Sequence, residues 1–163
     1  MRQFLATVVA ALAAAIAPAL AVSVVAMAWG AKVALPIVPL TFVVALAVAL
    51  LHVLLFGLVA AGWLLRIGRF WPLPMILSGL LIGIAPVGIW QFPLKHGTGA
   101  NFWSGGVQKI KDGVPTWAGW LDYLELIACA GSLGALGAAA FYFVYKGMSP
   151  NYSFKPTPLR GAA

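Results

Sequence analysis

The segment PIVPLTFVVALAVALLHVLLFGLVAAGWLL, residues Pro36–Leu65, runs for thirty residues without an Asp, Glu, Lys or Arg. An α-helix needs about 20 apolar residues to cross a hydrocarbon core that is ~30 Å thick. Inside lipid a helix is favoured, because the segment must satisfy its own backbone hydrogen bonds. This segment therefore predicts a membrane-spanning helix.

Three further apolar segments of similar length surround it, at about Phe4–Trp29, Leu73–Leu94 and Gly119–Tyr145. Hydrophobic residues make up 63% of the 163-residue chain and charged residues only 8%, which inverts the usage of soluble proteins. The sequence predicts an all-α fold, an integral membrane bundle of four transmembrane helices. We expect residues 1–148 to form this domain and residues 149–163 to form a flexible cytoplasmic tail.

The longest polar segment is the loop between the third and fourth spans, residues 95–118. It is rich in glycine and contains three lysines. The apolar side chains of Phe102–Ile110 predict one or two turns of helix lying in the headgroup region.

The ten basic residues lie in the breaks between the apolar segments, as Lys and Arg do beside a membrane, and this distribution argues against nucleic acid as a partner. Basic residues of short cytoplasmic loops dominate the orientation of a membrane protein. Placing both termini in the cytoplasm puts six basic residues inside and four outside, and we expect this orientation. The inner set is Arg2, Arg66, Arg69, Lys146, Lys155 and Arg160, and the outer set is Lys32, Lys95, Lys109 and Lys111.

The first apolar segment also has features of a cleavable signal peptide. Arg2 is followed by an apolar stretch, then by Pro18 and the small residues Ala19-Leu20-Ala21. Cleavage after residue 21 would leave a short apolar remnant, Val22–Trp29, before the first break. We therefore expect this segment to be kept as a transmembrane helix, with the orientation of the other spans the same in both cases.

His52 is the ionisable residue that lies deepest in a predicted span. Such groups are costly in a membrane, so each is a candidate functional site whose partner has to be named. Pro18 and Pro86 deprive the carbonyls of Ala14 and Ile82 of their helical donors, at about the depth of His52. The sequence predicts a structural hydrogen bond between the imidazole and one of these carbonyls; a proton relay or ion path at His52 is the alternative.

Asp122 and Glu125 are three residues apart and share one face at the outer end of the fourth span. Two such carboxylates could serve as general acid and base or as part of a metal site. They would also be stabilised by the helix N-terminus and by pairing with Lys109 or Lys111. We predict the capping and pairing role, and we predict no catalytic residue, metal site or cofactor.

Small residues predict where the spans pack most closely. The third span contains Gly79 and Gly83, a GxxxG pattern, and the fourth span contains Ala130, Gly134 and Ala138 at four-residue steps. Small residues let two helix backbones approach closely in lipid. We expect these faces to pack inside one bundle, with a homodimer contact as the alternative.

The last eleven residues, Ser153–Ala163, read SFKPTPLRGAA. This string resembles the C-terminal ends of proteins that are encoded on integron gene cassettes, where the reading frame runs into the recombination site. The four-span body is similar to the small hypothetical membrane proteins that such cassettes carry. The resemblance implies a mobile bacterial gene and a multi-pass protein of the inner membrane, and it implies no mechanism.

The function that these features favour is that of a non-enzymatic accessory or oligomerising membrane protein. Its expected partners are the lipid bilayer and either further copies of itself or another membrane protein. The alternative is a small transporter or pore subunit with a polar path near His52. A path of that kind needs several polar groups at mid-depth, and His52 stands almost alone there.

Overall fold

The computed structural model describes residues 1–29, 37–93 and 99–149. Within these ranges, four helical spans are long and apolar enough to cross a membrane. The all-α fold class is thereby confirmed: the chain is a multi-pass membrane protein with four transmembrane spans. Its helices are α1 (Arg2–Trp29), α2 (Ile37–His52), α3 (Leu58–Arg66), α4 (Pro72–Trp90) and α5 (Trp117–Met148).

The second span is not one continuous α-helix. A π turn, Val53–Gly57, joins α2 to α3, and the backbone N–H of Leu58 donates to the carbonyl of Val53. A π turn holds more residues than an α turn and shifts the register of all the side chains that follow. The helical backbone continues through it, since His52 and Leu58 on either side both have α-helical angles.

A tight turn joins α3 to α4. Gly68 has a φ of 69°, its N–H donates to Leu65, and the N–H of Arg69 donates to Leu64. This is the Schellman arrangement, in which a left-handed glycine after the last helical residue satisfies the free carbonyls. Pro72 then begins α4, at the position where the lack of an N–H costs nothing.

The most extensive packing in the bundle is between α4 and α5. Gly79 lies against Gly134 and Ala138, and Gly83 lies against Ala130. As residue numbers rise along α4 they fall along α5, so the two helices are antiparallel. A Cβ at Gly79 or Gly83 would overlap backbone atoms of α5, which shows that the backbones are in direct contact there.

Helix α1 packs on α5 and α2 through alanines. One end of the bundle is closed by a cluster in which Phe141 and Tyr145 of α5 stack at 5.9 Å between ring centres, with Phe70 5.3 Å from Tyr145. The residues buried in this cluster come from four helices: Ala6, Ala10, Ala11, Ala14, Ala61, Leu64, Met75, Phe141 and Tyr145. The cluster places the start of α1, the α3–α4 turn and the end of α5 together.

The opposite end carries a small antiparallel sheet, and the predicted interfacial helix at Phe102–Ile110 is wrong. The three strands are β1 (Phe102–Ser104), β2 (Val107–Lys111) and β3 (Val114–Pro115), in the order β1-β2-β3. The two connecting turns each have two residues with positive φ, Gly105-Gly106 and Asp112-Gly113. Such turns match the twist of paired strands, so they impose a hairpin on this segment.

The sheet is attached to the first turn of α5. The hydroxyl of Thr116 donates to the carbonyl of Gln108 at 2.7 Å, and the same oxygen accepts the N–H of Gly119 at 3.2 Å. Thr116 is thus the N-cap of α5 and a link to β2 at once. Ile110 of β2 is buried, whereas Phe102, Trp103 and Val114 are more than half exposed.

The third span is shorter than the sequence predicts, and some of the predicted features fall outside the described residues. Helix α4 ends at Trp90, four residues before the predicted end at Leu94, and Gln91 is its C-cap. The predicted flexible tail lies, from residue 150 onward, outside the described residues. The outer-loop residues Lys95 and His96 and the break residue Lys32 also lie outside them.

Candidate functional site

A cavity of about 360 Å³ lies inside the bundle and is partly open to its surroundings. All four spans contribute to its wall. The lining residues are Ala14, Pro18, Ala19 and Val22 of α1; Ala45, Val48, Ala49 and His52 of α2; Val53 and Gly57 of the π turn; Ala60 of α3; Met75, Ser78, Gly79, Ile82, Gly83 and Val87 of α4; and Ala130, Leu133, Gly134, Gly137, Ala138 and Phe141 of α5.

The cavity lies where α2, the first part of the second span, packs extensively on α1 but not on α4. Helix α2 makes its extensive contacts with α1, and α4 makes its extensive contacts with α5, while α3 and the π turn make smaller contacts with α4. The most apolar 18-residue window of the second span has no buried residue. The space between α2 and α4 is therefore left without extensive packing of one helix on the other.

The packing glycines and alanines that the sequence singled out form one side of this cavity. Gly79, Gly83, Ala130, Gly134 and Ala138 are brought together at the α4–α5 contact, and all of them line the cavity. Small side chains thus do two things here. They allow the two backbones to touch, and they leave volume beside the contact.

His52 lies in the wall at the end of α2, immediately before the π turn. Its Nδ1 is 2.8 Å from the carbonyl oxygen of Val48 in the same helix, and its ring centre is 6.1 Å from that of Phe56. A carbonyl only accepts, so Nδ1 carries the proton in this bond. The predicted hydrogen bond to Ala14 or Ile82 of another helix is wrong, because the donor is used within α2.

The proline-freed carbonyl of Ala14 is instead covered by backbone packing. Gly137 of α5 approaches it so closely that a Cβ added to Gly137 would lie 2.8 Å from the Ala14 oxygen. Pro18 is in van der Waals range of the same glycine. The α1–α5 contact at this depth depends on a glycine rather than on the histidine.

Ser78 is the other residue with a polar side chain in the cavity wall. Its hydroxyl donates to the carbonyl of Met75 at 2.8 Å, within its own helix. The remaining lining residues have apolar side chains or none. The cavity is consequently an apolar space with two polar groups, both of which already donate their protons to backbone carbonyls.

Asp122 and Glu125 lie away from the cavity, on the part of α5 beside the sheet. The Nζ of Lys109 is 2.8 Å from Oδ1 of Asp122, which is the predicted pairing with a lysine of the loop. The predicted capping role is wrong, because the first turn of α5 contains no acidic residue and Thr116 provides the cap. Within the described ranges, Glu125 has no ion-pair partner.

The cavity-lining residues of the second span were missed in the sequence. Ala45, Ala49, Gly57 and Ala60 lie on the same side as His52, at spacings of three or four residues interrupted by the π turn. This row of small residues resembles the rows that were recognised in the third and fourth spans. It marks a face that stays open, whereas the other two rows mark a face that closes.

No group of three or more His, Cys, Asp or Glu side chains that could hold a metal ion occurs in the described part of the chain. Cys129 is exposed on α5. Comparison with known proteins found no match: no protein-family model, no curated protein and no solved structure is significantly similar to this chain.

Proposed function

We propose that this protein is a non-enzymatic membrane protein that acts by binding, and that its binding site is the cavity inside the four-span bundle. The observation that carries the proposal is the cavity itself, about 360 Å³ with contributions from every span. Sites for small molecules typically have about 300–1,000 Å³, apolar walls and a few polar groups. The cavity meets this description.

The alternative is a transporter or pore subunit with a polar path near His52. The observation in its favour is that His52 lines the cavity inside the bundle. A path for ions, however, requires a series of polar groups to replace water, and the described wall offers only His52 and Ser78. The wall suits an apolar molecule better than a hydrated ion.

The binding site is tested by labelling the full-length protein in lipid nanodiscs with 3-trifluoromethyl-3-phenyldiazirine, a small apolar photolabel. We expect label on cavity residues such as Ile82 and Leu133, and a marked loss of it in Ala49→Leu, which fills the cavity. Ala47→Leu is the matched control, because Ala47 lies on the same helix, is exposed and does not line the cavity. Equal labelling of Ile82 and Leu133 in both variants would contradict the proposal.

We further propose that the membrane is the bacterial inner membrane and that both termini are cytoplasmic. Among the described residues, the end of the bundle with the aromatic cluster carries four basic residues and no acidic one, namely Arg2, Arg66, Arg69 and Lys146. The end with the sheet carries two basic and three acidic residues, Lys109, Lys111, Asp112, Asp122 and Glu125. A cytoplasmic end enriched in Lys and Arg is the usual arrangement.

The aromatic residues at the two ends agree with spans that cross the whole bilayer. Trp63 and Trp71 near one end and Trp90 and Trp117 near the other are all more than half exposed. Exposed tryptophans are enriched at the headgroup level of both membrane surfaces. The cassette-like tail, Ser153–Ala163, supports a bacterial host and hence the inner membrane.

Reporter fusions test the orientation. Fusions after Lys32, Arg69, Gly106 and Lys155 are expected to report outside, inside, outside and inside, because the spans alternate in direction. A cytoplasmic signal at Gly106, in the turn between β1 and β2, would overturn the orientation while leaving the four-span fold intact.

The apolar outer surface of the second span is available to lipid, to a second copy or to another membrane protein. Leu40, Val43, Val44, Leu51 and Leu54 are each more than half exposed there. In a bilayer such a surface is fully compatible with contact to acyl chains. Affinity purification from native membranes, followed by mass spectrometry, would show whether protein partners occupy it.

A further inference from the structure

The tautomer of His52 limits what the cavity can bind. Nδ1 donates to the Val48 carbonyl, so in the neutral imidazole the other ring nitrogen, Nε2, has a lone pair and no proton. Within the described part of the chain, no side chain or backbone donor is hydrogen-bonded to that nitrogen. His52, which lines the cavity, therefore has one free acceptor nitrogen.

Ser78 does not supply a free hydrogen-bond donor to the wall. Its hydroxyl proton is used by the Met75 carbonyl. A ligand with a carbonyl or an ether oxygen would thus meet no free donor from a described side chain of the wall. A ligand with one proton to donate would meet Nε2 of His52, an imidazole nitrogen that is a stronger acceptor than the hydroxyl oxygen of Ser78.

Charge excludes a second group of ligands. No lining residue is an Asp, Glu, Lys or Arg, and the imidazole of His52 carries no charge in its neutral form. An ammonium or a carboxylate would lose its hydration without gaining a counter-charge, and the cost of burying an unpaired charge is high. The complementary polar group is consequently neutral, small and a donor, and a hydroxyl meets these conditions.

The backbone conformation next to His52 also indicates a functional site at this part of the cavity. The π turn begins at the next residue, and π turns inside helices are frequent at functional sites. Four of the lining residues, His52, Val53, Gly57 and Ala60, lie in or beside this turn. The distortion thus occurs at the part of the span that faces the cavity.

We infer that the cavity binds an amphipathic alcohol, an apolar molecule with a single hydroxyl group that donates a hydrogen bond to Nε2 of His52. The inference rests on the proposed binding function and adds the chemical class of the ligand. The small residues opposite His52 accommodate the apolar body, and the imidazole fixes the end that carries the hydroxyl.

The test uses the full-length protein in phosphatidylcholine nanodiscs and two matched photoprobes. One is 1-dodecanol with an alkyl diazirine in mid-chain, and the other is the methyl ether of the same molecule, which accepts but cannot donate. We expect about fivefold tighter saturable labelling of the cavity residues by the alcohol, the typical worth of one neutral hydrogen bond. In His52→Phe, which keeps an aromatic ring without an acceptor, the alcohol and the ether should label equally.

A spectroscopic measurement reports the bond directly. The chain has two histidines, so a His96→Gln protein labelled with [¹⁵N]histidine reports His52 alone. Unlabelled 1-dodecanol should shift the Nε2 resonance, and 1-methoxydodecane should leave it in place. This readout does not depend on the folding of a His52 variant.

The outcomes separate the two proposals. Saturable labelling of the cavity by both probes with equal affinity, lost in Ala49→Leu and kept in Ala47→Leu, would overturn the hydroxyl assignment and leave the binding function standing. If neither probe labelled the cavity, both the hydroxyl assignment and the proposed binding function would be wrong. Labelling by a photoactivatable phosphatidylcholine that 1-dodecanol does not displace would show that bulk lipid fills the cavity, and it would also overturn the inference.

Discussion

The α4–α5 contact and the second span use glycine in opposite ways. A Cβ at Gly79 or Gly83 would overlap the backbone of α5, whereas a Cβ at Gly57 would come no closer than 3.7 Å to its neighbours, and one at Gly62 would meet nothing within 4 Å. One half of the bundle is therefore fixed by direct contact between backbones. In the other half, α2 packs extensively on α1 but not on α4, and the cavity lies beside it.

This difference has a physical consequence in lipid. Apolar side chains gain little by moving from lipid into a protein interior, so close van der Waals contact has to hold the helices together. The α4–α5 pair has that contact over much of its length. The second span lacks it, and lipid or a ligand can take the place of packing there.

The largest predicted effect is that of Gly83→Ala. The new methyl group would meet the carbonyl of Ala130, which is backbone and cannot rotate away. Forcing extra volume into a packed contact costs roughly 1–3 kcal/mol, and we expect the upper end of that range or more. Thermal unfolding of the purified protein in detergent, followed by circular dichroism, should show a clear loss of stability.

Gly62→Ala is the matched control for this substitution. The site is open, and alanine is the better helix former by about 1 kcal/mol in soluble helices. The unfolding temperature of Gly62→Ala should be equal to that of the wild type or slightly higher. If Gly62→Ala destabilised the protein as much as Gly83→Ala does, the contrast between the closed and open halves would be wrong.

The spans and the close contact could be predicted from the sequence because each depends on local composition. Apolar segments of about 20 residues or more predict the spans, and glycines four residues apart indicate a contact between backbones. The sheet could also have been predicted, since Asp112-Gly113 between Lys111 and Val114 is a strong hairpin signal. The helix predicted for this loop rests on the apolar side chains of Phe102–Ile110 and leaves the Asp-Gly turn out of account.

The cavity and the partner of His52 could not be predicted in the same way. Whether a row of small residues closes on a neighbour or stays open depends on the angle between two helices, here α2 and α4, and no residue of Ala45–Ala60 specifies that angle. The π turn after His52 is similarly unmarked in the sequence. Proline positions suggested a bond across helices, but the imidazole instead reaches the carbonyl of Val48, one turn away in its own helix.

A second prediction compares hydrogen bonds in the two halves. The hydroxyl of Tyr123 in α5 donates to the carbonyl of Gly88 in α4 at 3.0 Å, so it joins two helices, whereas the Nδ1 bond of His52 stays within α2. Hydrogen bonds between helices in membranes are worth about 0.6 kcal/mol on average and up to about 1.7. Tyr123→Phe should therefore lower the unfolding temperature more than His52→Leu does.

His52→Gln completes this comparison. Glutamine retains a side-chain donor and removes no contact between helices, so the stability of the ligand-free protein should be close to that of the wild type. A loss of stability in His52→Leu that exceeds the loss in Tyr123→Phe would show that His52 joins two helices after all. The loose half of the bundle would then have a specific link that the structure does not contain.

The smallest predicted effect concerns the exposed end of the closed half. Lys109 and Asp122 form an ion pair in which the side chain of Asp122 is 54% exposed. Pairs of this kind contribute about 0.2–1 kcal/mol, and salt screens them further. Asp122→Asn should lower stability by no more than this at low salt, and the difference should shrink at high salt.

Glu125→Gln changes a carboxylate one turn away that has no ion-pair partner among the described residues, so it should have no salt-dependent effect. If Asp122→Asn had normal stability but no longer bound the photolabel in the cavity, this carboxylate would have a role beyond joining the sheet to α5.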